Sequence, residues 1–158
     1  MNWIAPFRIG VARRTISTAR RSRVFDAPVA EVWKVIEDVY SMPRWWPAVE
    51  RMEGVEDDRF TQVFVTKKGR PVRLDFQLLA SEAPWRRTWQ QDIEGTPFER
   101  VLDAAITEIV LEPDAAGTKV TIAQRQKLRG YSRTGGFLLR RATASKLDEA
   151  LDGLERLL

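Results

Sequence analysis

The chemistry open to this chain is limited first by two residue types that it lacks. None of its 158 residues is a cysteine or a histidine, which excludes a thiol nucleophile, a histidine-containing triad and a zinc site. Proton transfer would then depend on Asp, Glu, Lys or the two tyrosines, Tyr40 and Tyr131. Neither tyrosine has a partner that the sequence reveals, so we assign no catalytic residue.

Metal- and phosphate-binding patterns are missing as well. The acidic turn Glu56-Asp57-Asp58 has too few ligands for a calcium loop. No glycine-rich segment has the spacing that binds phosphates or dinucleotides. The sequence therefore predicts no metal site and no cofactor.

Polar side chains occur on strand faces that are otherwise predicted to be apolar. Gln124 and Gln126 alternate in step with the apolar residues of the last strand, and Arg87 and Gln91 do so with Trp89. If these faces line the interior, the polar groups must be hydrogen-bonded or face a cavity, as in a small-molecule site. The alternative is that the strands twist, bulge or lie at an edge, which would leave these groups solvated.

The elements that would position these side chains begin with a strand from Thr15 to Phe25. Pro28 then opens a helix, because its missing N–H would be unsatisfied there in any case. The three- and four-residue spacing of this helix predicts one apolar face, made of Val29, Val32, Trp33, Ile36 and Tyr40. Trp33 has the simple interpretation of a core residue.

A short second turn after Pro43 carries the adjacent pair Trp45 and Trp46. One short turn does not easily bury two neighbouring tryptophans. We therefore consider a pocket lip or a tip that touches a membrane, since a large exposed aromatic beside a cavity is informative. The alternative is again a place in the core.

Six further strands are predicted between the second turn and the C-terminal region. Strict alternation over residues 71–79 indicates a half-buried strand. Arg100 and Asp103 are predicted on one strand with opposite parities, so at most one of them points inward. The predicted strand ranges are 49–55, 60–68, 71–79, 85–93, 98–112 and 118–128.

Gly135-Gly136 precedes a long amphipathic helix of about six turns, predicted over residues 137–158. Gly153 lies inside it and costs roughly 1 kcal/mol relative to alanine. A run of strands with helices at both ends indicates an α+β fold with an antiparallel sheet. The apolar stripe of the last helix comprises Phe137, Ala144, Leu147, Leu151, Leu154 and Leu158.

The length of 158 residues predicts a single domain, in which residues 1–12 form a loose arm.

The net charge is +4, and the segments 1–25 and 115–147 contain basic residues but no acid. Such segments attract anionic ligands or membranes, but no nucleic-acid-binding motif accompanies them, so no nucleic acid partner is predicted. No membrane-span or secretory pattern is present, which favours the cytoplasm.

The segment APVAEVWKVIEDVYSMPRWWPAVERMEG resembles the START-like (SRPBCC) superfamily, in particular its polyketide cyclase/dehydrase and lipid-transport group. The late turn and strand EPDAAGTKVTI and the C-terminal helix also fit, so the resemblance covers about residues 15–158. The matching positions are Pro28, Val32-Trp33, Asp38 and Trp45-Trp46-Pro47.

The resemblance implies a helix-grip fold, in which a curved antiparallel sheet wraps around the long C-terminal helix and two short helices follow the first strand. Members bind or transport lipids, sterols or polyketides in a cavity between sheet and helix, and some are cyclases or dehydratases. Fold alone does not assign function. The family has no universal catalytic motif, so none is transferred to this chain.

Three hypotheses follow. The chain is a carrier of an apolar small molecule, a cyclase- or dehydratase-type enzyme that uses the same cavity, or a module that meets a membrane or ribosome through its basic face. The first requires a cavity of several hundred Å³, and transient membrane contact stays open under the third. The predicted ligand contacts are Trp33, Tyr40, Trp45, Trp46, Phe64, Phe76, Arg87, Trp89, Gln91, Gln124, Gln126 and Phe137.

Overall fold

The structure, a computed structural model, describes residues 16–130 and 133–158. The predicted arm over residues 1–12 and the tyrosine Tyr131 lie outside the described residues. The elements in chain order are β1 (Ile16–Phe25), α1 (Val29–Glu37), a 3-10 turn (Val39–Ser41), α2 (Met42–Trp45), β2 (Val49–Glu53), β3 (Arg59–Val65), β4 (Pro71–Glu82), β5 (Arg86–Gln91), a 3-10 turn (Pro97–Arg100), β6 (Leu102–Asp114), β7 (Gly117–Leu128) and α3 (Arg133–Leu157).

The strands form one antiparallel sheet in the order β1-β7-β6-β5-β4-β3-β2. Strands β2 to β7 are joined in sequence to their neighbours, while β1 pairs with the last strand and leaves the two ends of the sheet as edges. The sheet curves around α3, which confirms the predicted α+β helix-grip architecture.

The core lies between the concave face of the sheet and the helices. In α3 the predicted stripe is confirmed at Leu147, Leu151 and Leu154, which are at most 1% exposed. Opposite them, Ile109 pairs with Ile122 across β6 and β7, and both are fully buried. Burial of this kind stabilises each large apolar side chain by about 1.5–3 kcal/mol relative to exposure.

The prediction of a single strand from Phe98 to Glu112 is wrong at its start. Phe98 and Arg100 belong to a 3-10 turn that Pro97 opens, in which the side chain of Thr96 accepts a hydrogen bond from the Phe98 amide at 3.3 Å. Arg100 is therefore not a strand residue. Asp103 is on β6 but is exposed.

Helix α3 begins before the predicted start, so that Gly135 and Gly136 lie inside it. Gly153 also has a structural purpose. A Cβ atom there would lie 2.3 Å from the carbonyl oxygen of Trp45, so only glycine lets α2 pack this closely against α3.

The expectation that Trp45 and Trp46 are not both buried is wrong. They are 2% and 3% exposed, because α2 lies against α3 and both indoles turn inward. The prediction that Tyr40 shares the apolar helix face is also wrong, since it is 68% exposed. Helix α1 ends at Glu37, and the 3-10 turn after it rotates Tyr40 towards solvent.

None of the helices in residues 16–130 and 133–158 is long and apolar enough to cross a bilayer.

Candidate functional site

A layer of polar side chains lies on the concave face of the sheet. Gln91, Gln124 and Gln126 are each 8% exposed, and Thr107 is 3% exposed. The register places Thr107 beside Gln124, with Trp89 on its other side. The sequence alternation therefore located these glutamines on a buried face, and the solvated alternative does not hold.

Helix α3 adds Thr143 to this layer and also carries Lys146. The Thr143 hydroxyl donates a 3.2 Å hydrogen bond to Oε1 of Gln126, and Lys146 follows three residues later on the side of the helix nearer α2. Sequence reasoning missed both residues. The available signal was their position beside Ala144 and Leu147 in the apolar stripe.

An aromatic cluster adjoins the polar layer. The Trp46 ring meets the edge of Trp89 at 5.6 Å between centroids and that of Trp45 at 5.4 Å. Phe60 stacks on Phe76 at 5.3 Å and meets Trp89 at 6.1 Å. These five rings, which we call the aromatic cluster, provide a large apolar surface with fixed geometry.

Lys146 lies above this cluster. Its Nζ is 5.4 Å from the centroid of the Trp46 ring, which is a cation–π contact. Burial lowers the pKa of the Lys146 amine, because the charged form loses hydration. The residue nevertheless keeps some accessible surface.

Arg87 lies on the same concave face, towards α1, and is 7% exposed. Burial lowers the pKa of Arg87, while the charge of Glu37 acts in the opposite direction. A carboxylate oxygen of Glu37 accepts a 2.7 Å hydrogen bond from Nε1 of Trp33. Nε of Arg87 and Nε2 of Gln91 are buried without a hydrogen-bond partner, so this face offers donors that the protein does not use.

The remaining predicted contacts fall into two groups. Trp33 and Trp45 are core residues, and Phe64 is half-buried against the same core. Tyr40 points to solvent, and Phe137 is 52% exposed beside Arg140 at 5.8 Å. Tyr40 and Phe137 are therefore not lining the interior between sheet and helix as predicted.

Surface depressions lie elsewhere on the described part of the chain. One of about 320 Å³ lies between the turn that carries Trp46 and the end of α3. Another, of about 210 Å³, separates β1 from the first half of α3 and is bordered by Arg20, Arg21, Arg140 and Arg141. Neither is lined by the buried glutamines.

Glu108, a buried acid whose pKa is raised, lies away from the concave face. Burial raises the pKa of Glu108 despite Arg86 at 3.7 Å, but the register places Glu108 beside Thr88 and Ala123 on the convex side. Within the described ranges no group of acidic residues is arranged to hold a metal ion.

Comparison with known proteins gives a family and a set of related folds. The sequence profile of the family described as "Polyketide cyclase / dehydrase and lipid transport" matches residues 17–158. No curated protein matches the chain by sequence.

Solved structures share the fold at low identity. The chain is similar to the di-domain ARO/CYC BexL from the BE-7585A biosynthetic pathway, with 12% identity and a TM-score of 0.74 over 90% of this chain and 50% of that one. It is also similar to the di-domain ARO/CYC StfQ from the steffimycin biosynthetic pathway, with 13% identity and a TM-score of 0.73 over 91% of this chain and 51% of that one. A third similar structure is that of TTHA0849 from Thermus thermophilus, with 23% identity and a TM-score of 0.67 over 88% of this chain and 94% of that one. The chain thus spans about half the length of the two di-domain proteins.

Proposed function

The chain belongs to the polyketide cyclase / dehydrase and lipid transport family, and we propose that it binds and carries an apolar small molecule between the concave face of its sheet and α3. The observation that carries the proposal is the polar layer of Gln91, Thr107, Gln124 and Gln126, buried beside five aromatic rings. An apolar site with a few placed polar groups is the usual form of a small-molecule pocket.

Energetics support a ligand in this place. A buried N–H group without a partner costs about 1–3 kcal/mol, and Nε2 of Gln91 and Nε of Arg87 are two such groups on this face. A ligand with hydrogen-bond acceptors at this point would satisfy them. These groups would orient the ligand, and the rings beside them form rigid apolar walls.

A neutral fluorescent probe tests the proposal. N-phenyl-1-naphthylamine is titrated into the protein, and we expect saturable one-to-one binding with increased emission. Gln124→Trp puts a much larger side chain into the polar layer and should weaken binding about tenfold or more. The matched control is Lys127→Trp, on the same strand but on its convex face, which should bind as the wild type does.

Absence of saturable binding by the folded wild-type protein would contradict the proposal. If Gln124→Trp and Lys127→Trp lost the same amount of affinity for the probe, the effect would not be specific to the concave face.

A cyclase-type enzyme is the second candidate, and Lys146 is the observation that favours it. An amine whose pKa burial lowers gives up its proton more readily than a solvated lysine does, as a proton-transfer group must. The test is the product distribution of a reactive poly-β-ketone incubated with wild-type protein or with Lys146→Met. An enzyme predicts products that differ from the spontaneous ones with the wild type and return to them with the variant.

The basic-surface hypothesis has less support. Two arginines of the basic N-terminal segment are already paired with α3, since Arg21 contacts Asp148 at 3.1 Å and Arg23 contacts Asp152 at 2.6 Å. These pairs join β1 to the helix and reduce the charge that an external anion would meet.

A further inference from the structure

Helix α3 places a cation over the aromatic cluster without an anion beside it. Among the described residues, none forms a hydrogen bond or ion pair with Lys146, whose Nζ lies 5.4 Å from the Trp46 ring centroid. The two acids that follow Lys146 on the helix do not pair with it. Asp148 pairs with Arg21 at 3.1 Å, and Glu149 is exposed.

This arrangement is unfavourable for the charged form of Lys146. Loss of hydration destabilises the charged amine, and burial accordingly lowers the pKa of Lys146. The face of an indole attracts a cation but offsets only part of that loss. A group that brought a negative charge to Lys146 would remove the imbalance.

Two N–H donors on the concave face also lack an acceptor. Nε of Arg87 and Nε2 of Gln91 are buried without partners, in side chains 7% and 8% exposed. The acid that acts on Arg87 is Glu37, which already accepts a 2.7 Å hydrogen bond from Trp33. In the described part of the chain, then, the concave face carries N–H groups that no acceptor meets.

We propose that the ligand of this site is an apolar molecule that ends in a carboxylate, which pairs with Lys146 while its body lies against the aromatic cluster. This inference rests on the proposed function and adds the chemical class of the ligand. A carboxylate carries a single negative charge, which one amine can neutralise. A phosphate, with higher charge and stronger hydration, would need several cations or a row of backbone N–H groups at the same point.

The test uses matched acids and alcohols. Dodecanoate is compared with dodecan-1-ol, and 2-naphthoate with 2-naphthalenemethanol, by calorimetric titration of the full chain. The wild type should bind the acid of at least one pair about tenfold more tightly than its alcohol. Lys146→Met should remove this preference by weakening the acid about tenfold while changing the alcohol less than about twofold.

Two further variants make the result specific. Lys146→Arg keeps the charge and should keep the preference for the acid. Arg141→Met removes an exposed cation from the same helix and should leave both affinities unchanged.

The outcomes separate the two proposals. Equal binding of acid and alcohol by the wild type, or an unchanged preference in Lys146→Met, would overturn the carboxylate inference and leave the carrier function intact. If neither pair nor the neutral naphthylamine binds, the carrier function itself fails. Should Lys146→Met not fold, the preference of the wild type and of Lys146→Arg still decides the question.

Discussion

The amine of Lys146 lies 5.4 Å above the Trp46 ring, and Trp46 in turn meets the edge of Trp89 at 5.6 Å. Helix α3, the α2 turn and strand β5 thus meet through one cation and two indoles. This contact sets a buried amine against the apolar core, and the ionisation of that amine should affect the stability of the protein.

Replacement of Lys146 by methionine should stabilise the protein at neutral pH. Burial lowers the pKa of this amine in the folded state, so the unfolded chain binds the proton more tightly. The stability of the wild type should therefore rise with pH between the folded value and about 10.4, the value of an unperturbed lysine. Urea unfolding at about pH 7 and pH 10 should show the advantage of Lys146→Met shrinking as the pH rises.

A constant difference between wild type and Lys146→Met across that pH range would show that the amine is not destabilised by burial. Lys127→Met, on the convex face, is the control and should show no comparable change in slope.

Gly153→Ala should destabilise the protein by roughly 2–4 kcal/mol. The added methyl would lie 2.3 Å from the carbonyl oxygen of Trp45, and relief requires α2 to move away from α3. The matched control is Gly136→Ala in the same helix, where the nearest atom is Leu128 Cδ1 at 3.5 Å. That change should be neutral or stabilise by up to about 1 kcal/mol through helix propensity.

Thermal unfolding of the two glycine variants gives the comparison. If Gly153→Ala were as stable as Gly136→Ala, the close contact between α2 and α3 would be incorrect.

The hydrogen bond between Thr143 and Gln126, 3.2 Å long, should couple α3 to the sheet. Thr143→Val leaves Oε1 of Gln126 buried without this donor and should cost about 1–3 kcal/mol. In Thr143→Val with Gln126→Leu the cost should be smaller than the sum of the single changes. Thr121→Val, which removes an exposed 2.8 Å bond to Ser22, should change stability by less than about 0.5 kcal/mol.

Strict additivity of the two single changes at Thr143 and Gln126, measured by urea unfolding, would rule out an energetic link between them.

Glu108→Gln should stabilise the protein more at neutral pH than in acid. Burial raises the pKa of Glu108 even though Arg86, Arg125 and Arg20 act in the opposite direction. The folded state therefore holds this proton more tightly than the unfolded state, and stability is lost as the pH rises through the unfolded value of about 4.3 towards the folded value. The free energies of unfolding of Glu108→Gln and of the wild type, measured at about pH 4 and pH 7, should differ more at pH 7.

A variant that is less stable than the wild type at both pH values would mean that the carboxylate is a net stabilising partner of the arginines.

Much of the fold was predictable because it follows from periodicity. The stripe through Leu147, Leu151 and Leu154 determines the buried face of α3, and the alternation through Gln124 and Gln126 determines the face of β7. Both depend on the geometry of one element, which the sequence alone specifies.

Features that depend on contacts between different secondary-structure elements were not predictable. The burial of both Trp45 and Trp46 requires α2 to lie on α3, and that approach requires Gly153. The exposure of Tyr40 follows from a 3-10 turn that interrupts the helical period. In the sequence Lys146 is one residue of a basic segment, because its place beside Trp46 exists only after the sheet has closed around the helix.

Intact mass under native conditions is the most direct measurement of whether this protein is a carrier. The purified protein is measured as isolated and again after incubation with a total lipid extract, alongside Gln124→Trp. We predict one stoichiometric adduct on the wild type that is released on unfolding, extracts as an apolar molecule and is absent from the variant. A wild type that remains free of adduct in both measurements, or a variant that carries the same adduct, would contradict a binding site between the sheet and α3.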